Sequence, residues 1–162
     1  MMSNTRSARL ARWQIWLLSV SGTLLWLSGA GWLLLHYYGQ VQGEFGPESN
    51  PLEPWFLRLH GFVIIPILLG IGGLFIAHFP KGWKDKRQRY IGLGLAVAGG
   101  VLILSGYMLY YVGPEWLRDW TSVVHWAIGL ASPILFIWHY QGRRQVRKPT
   151  KVPISVADSV GD

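Results

Sequence analysis

The chain has 162 residues, of which 51% are hydrophobic and 14% aromatic, and it carries a formal net charge of +7. It contains no cysteine. This excludes disulfides, thiolate metal sites, cysteine-ligated iron–sulfur clusters and covalently attached c-type haem. The apolar residues are grouped in long stretches without charge, which is typical of a membrane protein and not of a soluble domain.

Four stretches lack Asp, Glu, Lys and Arg, and each is long enough to cross about 30 Å of hydrocarbon, which takes roughly 20 apolar residues. In chain order these uncharged stretches are 13–43, 59–80, 90–114 and 120–142. They predict membrane-spanning helices at about 12–38, 58–79, 88–112 and 120–141.

The predicted fold is therefore all-α, an up-down-up-down bundle of four transmembrane helices. Residues 1–142 form one transmembrane domain, and we expect the basic and polar tail 143–162 to be disordered and cytoplasmic. The segment at about 39–57 contains several glycines and prolines and is predicted to be an external loop without helix. No internal repeat is evident, although helices two and four share Pro-Ile-Leu at 66–68 and 133–135.

The positive charge is distributed asymmetrically about the predicted helices. Thirteen of the 15 basic residues lie in three segments that an even number of crossings places on one side: Arg6, Arg9, Arg12, Lys81, Lys84, Lys86, Arg87, Arg89, Arg143, Arg144, Arg147, Lys148 and Lys151. The opposite side carries Arg58 and Arg118 against five acidic residues. The positive-inside rule therefore places both termini in the cytoplasm. Topology explains the charge, so we do not expect nucleic-acid binding.

Four histidines lie in the second and fourth uncharged stretches, and an ionisable residue at membrane depth indicates a functional site. His60 and His78 are 18 residues apart, which is five full helical turns, so both lie on one face of helix two. His125 and His139 are 14 residues apart and lie within about 40° of a common face of helix four.

Helices two and four run in the same direction, so their histidines should pair by depth. His60 and His125 would meet near the outer surface, and His78 and His139 near the cytoplasmic surface. Each pair could supply both axial imidazoles of a non-covalent haem b, so the sequence predicts two haems with these four residues as iron ligands. The two histidine separations correspond to rises of roughly 27 and 21 Å, a mismatch that helix tilt or bending at Pro66 and Pro133 would have to absorb.

Neighbouring helices must leave room for a macrocycle, and glycines on helices one and three are predicted to do so. Gly29, Gly31 and Gly106 lie near the outer level, while Gly22, Gly92 and Gly94 lie nearer the inner one. Ser105, Tyr107 and Tyr110 are candidates for tuning the haem potential. His36 is expected at the membrane interface facing headgroups, and the alternatives are a substitute outer ligand or a place beside a quinone.

The chain has four predicted spans. Helix two begins with His60-Gly61 and ends with His78, and helix four begins with His125-Trp126 and ends with His139. In these features residues 12–142 resemble the di-haem membrane cytochrome b proteins. Such subunits serve nickel–iron hydrogenases and formate dehydrogenases. The resemblance implies electron exchange between membrane quinone and a peripheral redox protein, as one subunit of an oxidoreductase complex. It also implies a bacterial cytoplasmic membrane. The chain departs from those relatives in having no histidine on the cytoplasmic half of helix one.

Two other classes of protein remain open. The histidines could serve a transporter of transition-metal ions, because imidazole suits zinc, copper, nickel and iron. No acidic residue lies within a predicted span, however, and a path for divalent ions usually needs carboxylates. The third possibility is a structural membrane subunit without a redox function.

Overall fold

The structure, a computed structural model, describes residues 11–77 and 89–145 and is an all-α four-helix bundle, as the sequence predicts. Its helices are α1 (Arg12–Tyr38), α2 (Glu53–Ala77), α3 (Arg89–Tyr111) and α4 (Glu115–Gln145). We call the end that carries the 39–52 and 112–114 connections the outer end. The predicted connection 80–87 lies outside the described residues.

All four helices are long and apolar enough to span a membrane, so the chain is a multi-pass membrane protein. The apolar spans contain 27, 24, 23 and 27 residues. At about 1.5 Å per residue these lengths exceed the roughly 30 Å of a hydrocarbon core.

Two helices begin earlier than the charge pattern predicts. α2 begins at Glu53 and not near residue 58, so the loop that was predicted to reach residue 57 ends at residue 52. Pro54 is compatible with this start because the first turn of a helix does not need the missing N–H. α4 begins at Glu115, directly after Pro114, and extends to Gln145, three residues into the predicted tail. The rest of that tail lies outside the described residues.

The outer loop contains a short β-hairpin that the sequence did not predict. Strands β1 (Val41–Gly43) and β2 (Gly46–Glu48) pair antiparallel, with Val41 opposite Glu48. Gly46 has φ of 127°, in the region that L side chains rarely adopt, so a glycine is needed at this end of the turn. The hairpin shortens the path between α1 and α2 and helps to bring their outer ends together.

The bundle consists of two helical hairpins. Close packing joins α1 with α2 and α3 with α4, and a smaller contact joins α1 with α4. Val63 is the one buried apolar side chain among the described residues, while the large apolar side chains are mostly exposed, as a lipid-facing surface requires. The other buried side chains are polar: Ser21, Ser28, Glu53, Ser105 and Thr121. The buried side chains are thus mainly polar, and three of them, Ser28, Ser105 and Glu53, contact histidines.

Candidate metal centre

His60 of α2 and His125 of α4 face each other between the two hairpins. Their ring centroids are 6.2 Å apart and their planes are inclined by 74°. The structure therefore brings together the two histidines that the sequence assigns to the outer level. Their role as ligands stays a prediction.

The separation of these rings matches two imidazoles bound to opposite sides of one metal. Metal–nitrogen bonds of about 2.0–2.1 Å and an imidazole radius of about 1.15 Å would place the ring centres about 6.3–6.5 Å apart. The observed 6.2 Å is close to this value. The 74° angle excludes a face-to-face stack, and the distance and angle are also those of an edge-to-face contact between the two rings, so the spacing alone does not assign a metal.

His60 is fixed in the tautomer that a metal requires. Its Nδ1 lies 3.0 Å from the carbonyl oxygen of Leu25 and 3.1 Å from Oγ of Ser28. A carbonyl oxygen only accepts, so Nδ1 carries the proton and donates it. The Ser28 hydroxyl donates to the same Leu25 carbonyl at 3.0 Å. Nε2 of His60 therefore keeps its lone pair, which is the ligating form.

His125 is fixed in the same way from the other hairpin. Its Nδ1 lies 2.8 Å from Oγ of Ser105, and that hydroxyl donates to the Leu102 carbonyl at 3.3 Å. By analogy with His60, we assign Nδ1–H of His125 as the donor to Oγ and the hydroxyl proton to the Leu102 carbonyl. Ligating histidines almost always donate their second ring N–H to an oxygen in this manner. Both rings thus show the hydrogen bonding of metal ligands.

The two anchors belong to a short internal repeat. Residues 25–29 of α1 and 102–106 of α3 both have the pattern Leu-x-Leu-Ser-Gly. The serine of each copy contacts one histidine, and the following glycine lies against the same ring. A Cβ added at Gly29 would lie 3.1 Å from His60 Cε1, and one added at Gly106 would lie 3.3 Å from His125 Cε1. Gly29 and Gly106 therefore allow the neighbouring helix to approach each ring, Gly31 lies against Phe56, and the room for a macrocycle stays a prediction.

The inner level is described in part. His139 lies on α4 near Gly92 of α3, where an added Cβ would be 3.8 Å from its Cε1. A glycine therefore lies near a histidine at the inner level as well, at a longer distance than at the outer level. His78 lies outside the described residues, so the pairing of His78 with His139 stays a prediction.

His36 belongs to a different cluster at the outer end. Its Nδ1 is 3.1 Å from Oε2 of Glu53, and its ring stacks on Trp32 with centroids 4.7 Å apart. It lies eight residues beyond Ser28, about 12 Å along α1, and so well above the level at which Ser28 contacts His60. The sequence predicts that His36 faces lipid headgroups, and it does not predict the contact of His36 with Glu53.

The donor set fits a metal held by a macrocycle better than a bare ion. A tetrahedral zinc site uses four ligands. Within the described residues, no group of three or more His, Cys, Asp or Glu side chains is placed to hold a metal ion. A macrocycle such as haem supplies the equatorial nitrogens, so only two axial ligands are needed from the protein. In addition, Nε1 of Trp126 is buried without an acceptor among the described residues, and a carboxylate of a bound macrocycle is a suitable acceptor.

The fold and this site together define a membrane-spanning four-helix bundle with an anchored pair of facing histidines. Comparison with known proteins adds no relative: no family model, curated protein or solved structure matches the chain. The function must therefore be inferred from the residues themselves.

Some of the site was missed by sequence reasoning. The roles of Ser28 and of the Leu25 carbonyl were not predicted, although the repeated Leu-x-Leu-Ser-Gly pattern carried the signal. Glu53 was read as a loop charge but is a buried partner of His36. Ser105 lies at the site as predicted, whereas Tyr107 and Tyr110 have mostly exposed side chains.

Proposed function

We propose that the chain is a membrane b-type cytochrome that carries electrons across the bilayer through two haems b, between the quinone pool and a peripheral redox partner. The observation that carries this proposal is the pair of rings 6.2 Å apart, His60 and His125, each with Nδ1 committed to an oxygen and Nε2 left to ligate. We propose that His78 and His139 hold the second haem at the inner level.

Two axial imidazoles favour electron transfer over oxygen chemistry because they leave no open coordination position. Haem iron supplies a one-electron couple when bound. The chain would supply the rest: His60 and His125 would hold the iron, and Ser28 and Ser105 would orient the imidazoles. A rigid, six-coordinate site reorganises little between its two oxidation states, which suits rapid transfer.

The charges at the two ends of the bundle support an orientation and a kind of partner. Both termini are proposed to lie in the cytoplasm of a bacterium, because most basic residues fall on that side. The outer end carries Glu44, Glu48, Glu53, Glu115 and Asp119 against Arg58 and Arg118. A peripheral redox protein that exchanges electrons at the opposite, basic end would need a negatively charged docking face.

A haem assay of the purified protein tests the proposal. We expect a pyridine haemochrome spectrum of haem b with two haems per chain. His60→Ala and His125→Ala should each remove the same spectral component, because neighbouring apolar side chains cannot replace a nitrogen ligand. His36→Ala is the matched control and should keep both haems, since His36 lies in another cluster. A colourless protein from cells supplied with ample haem would overturn the proposal.

A further inference from the structure

A histidine–carboxylate pair lies at the outer end, where α1 ends and α2 begins, and haem ligation does not use it. Glu53 is only 9% exposed and is the one buried acidic residue in the described part of the chain. Its Oε2 lies 3.1 Å from Nδ1 of His36, and its Oε1 accepts from the backbone N–H of Asn50 at 3.3 Å. The Asn50 side chain in turn donates to the Gly39 carbonyl at 2.8 Å. The carboxylate is therefore held in a fixed position.

This geometry prepares His36 to accept a proton. A carboxylate accepts, so Nδ1 of the neutral ring carries the proton and donates it to Glu53. Nε2 is then the basic nitrogen. The side chain of His36 is 44% exposed, so a ligand can reach the ring, whereas Glu53 is buried beneath it. A base oriented by a second group is the arrangement that general-base chemistry uses.

Aromatic side chains surround the exposed ring. Trp32 stacks on it with an interplanar angle of 15°, and Tyr37 meets it edge-on with centroids 5.1 Å apart. These side chains lie at the end of a membrane-spanning helix, where aromatic residues are suited to the interface. A planar, lipid-soluble molecule with a hydroxyl group matches both features: its ring fits the aromatic surface and its O–H can donate to Nε2.

The pair is also close enough to the metal centre for electron transfer. Glu53 precedes His60 by seven residues on α2, which is about 10 Å along the helix. A proton acceptor and the proposed electron acceptor therefore lie on one side of the membrane, separated by about two to three helical turns.

We propose that the His36–Glu53 pair is the proton-accepting site at which a membrane-soluble hydroquinone is oxidised, and that this places the oxidation at the outer end. The inference rests on the proposed function, because the outer haem is the electron acceptor. In each step one O–H bond of the hydroquinone breaks, its proton passes to His36 Nε2 and its electron passes to the outer centre. The proton then leaves to the outer aqueous phase and the electron moves to the inner centre. A second identical step converts the diol to the quinone.

Two reductants separate proton-coupled from simple electron transfer. The purified full-length protein is mixed rapidly with a short-chain 1,4-hydroquinone or with dithionite, and haem reduction is followed by absorbance. Glu53→Gln and His36→Gln are the test variants. Glu115→Gln is the matched control, since Glu115 is the first-turn acid of α4 as Glu53 is of α2. We expect the hydroquinone rate to fall about 10- to 100-fold in both test variants, in the range that general-base catalysis contributes. The dithionite rate and the haem content should match those of the control.

The outcomes against the proposal are distinct from failure of the haem assignment. Hydroquinone rates in both test variants equal to that of Glu115→Gln would overturn it. An equal fall of the hydroquinone and dithionite rates in both variants would assign the pair a purely structural role and would also overturn it. If the unsubstituted protein has no haem that dithionite reduces, the proposed function itself fails.

Discussion

Removing the Ser105 hydroxyl should raise the reduction potential of the outer haem. Oγ of Ser105 accepts from Nδ1–H of His125 at 2.8 Å, and this contact increases the electron density that the imidazole gives to the metal. The oxidised iron gains more from that density than the reduced iron does. Ser105→Ala therefore destabilises the oxidised form relative to the reduced form, and the potential rises.

The size of the shift follows from the hydrogen bond that is lost. A typical bond of this kind contributes a net free energy of about 0.5–1.5 kcal/mol. For a one-electron couple, a factor of ten, or about 1.4 kcal/mol, corresponds to about 59 mV. If the whole bond acted on one oxidation state, the shift would be about 20–60 mV. We therefore expect a rise of up to about 60 mV.

The assay is a potentiometric titration of the purified protein followed at the reduced α-band. Ser132→Ala is the matched control, because Ser132, on the same helix as His125, donates to the carbonyl three residues before it, Gly129, at 2.8 Å, as Ser105 donates to Leu102. Ser28→Ala should produce a smaller shift than Ser105→Ala, since His60 keeps its bond to the Leu25 carbonyl. A potential in Ser105→Ala that is unchanged or lowered relative to Ser132→Ala would refute the reasoning.

Two further predictions concern the shape of the outer site. Gly29→Ala and Gly106→Ala should each lower the haem content, because the added methyl would meet His60 or His125 at 3.1 and 3.3 Å. Gly99→Ala, with no atom within 4 Å of its Cβ, should keep both haems, and equal haem content in all three variants contradicts the close approach. The second prediction concerns the angle of 74° between the planes of the two imidazoles. Low-temperature electron paramagnetic resonance of the oxidised protein should show the highly anisotropic low-spin signal of crossed imidazole planes. An outer-haem signal typical of parallel planes would contradict that angle.

The sequence predicted what depends on charge and helical periodicity. Uncharged stretches located all four helices because a charge in hydrocarbon is costly, and depth matching brought His60 and His125 to one level. The start of α2 was missed because absence of charge marks the edge of the hydrocarbon and not the end of a helix. Glu53 and Pro54, an acid and a proline in a first turn, were the signal for the earlier start.

Contacts between distant residues were harder to predict. The bond between His36 and Glu53 depends on how the loop closes, and the β-hairpin inside that loop is too short for a periodic pattern to reveal. Ser28 resembled an ordinary small residue of helix packing, since serine is common where transmembrane helices meet. Only its match with Ser105, in a second copy of Leu-x-Leu-Ser-Gly, distinguishes it.

That repeat explains why the centre lies between the hairpins and not within one of them. In each hairpin, the serine of one helix orients the histidine of its partner, so Nδ1 is engaged inside the hairpin. Nε2 must then be directed away from that serine, toward the other hairpin. Two similar hairpins facing each other supply two opposed nitrogen donors, which is the geometry that a six-coordinate haem needs. Neither hairpin alone offers more than one of the proposed outer ligands, so haem binding at the outer level would require the two hairpins to be docked against each other.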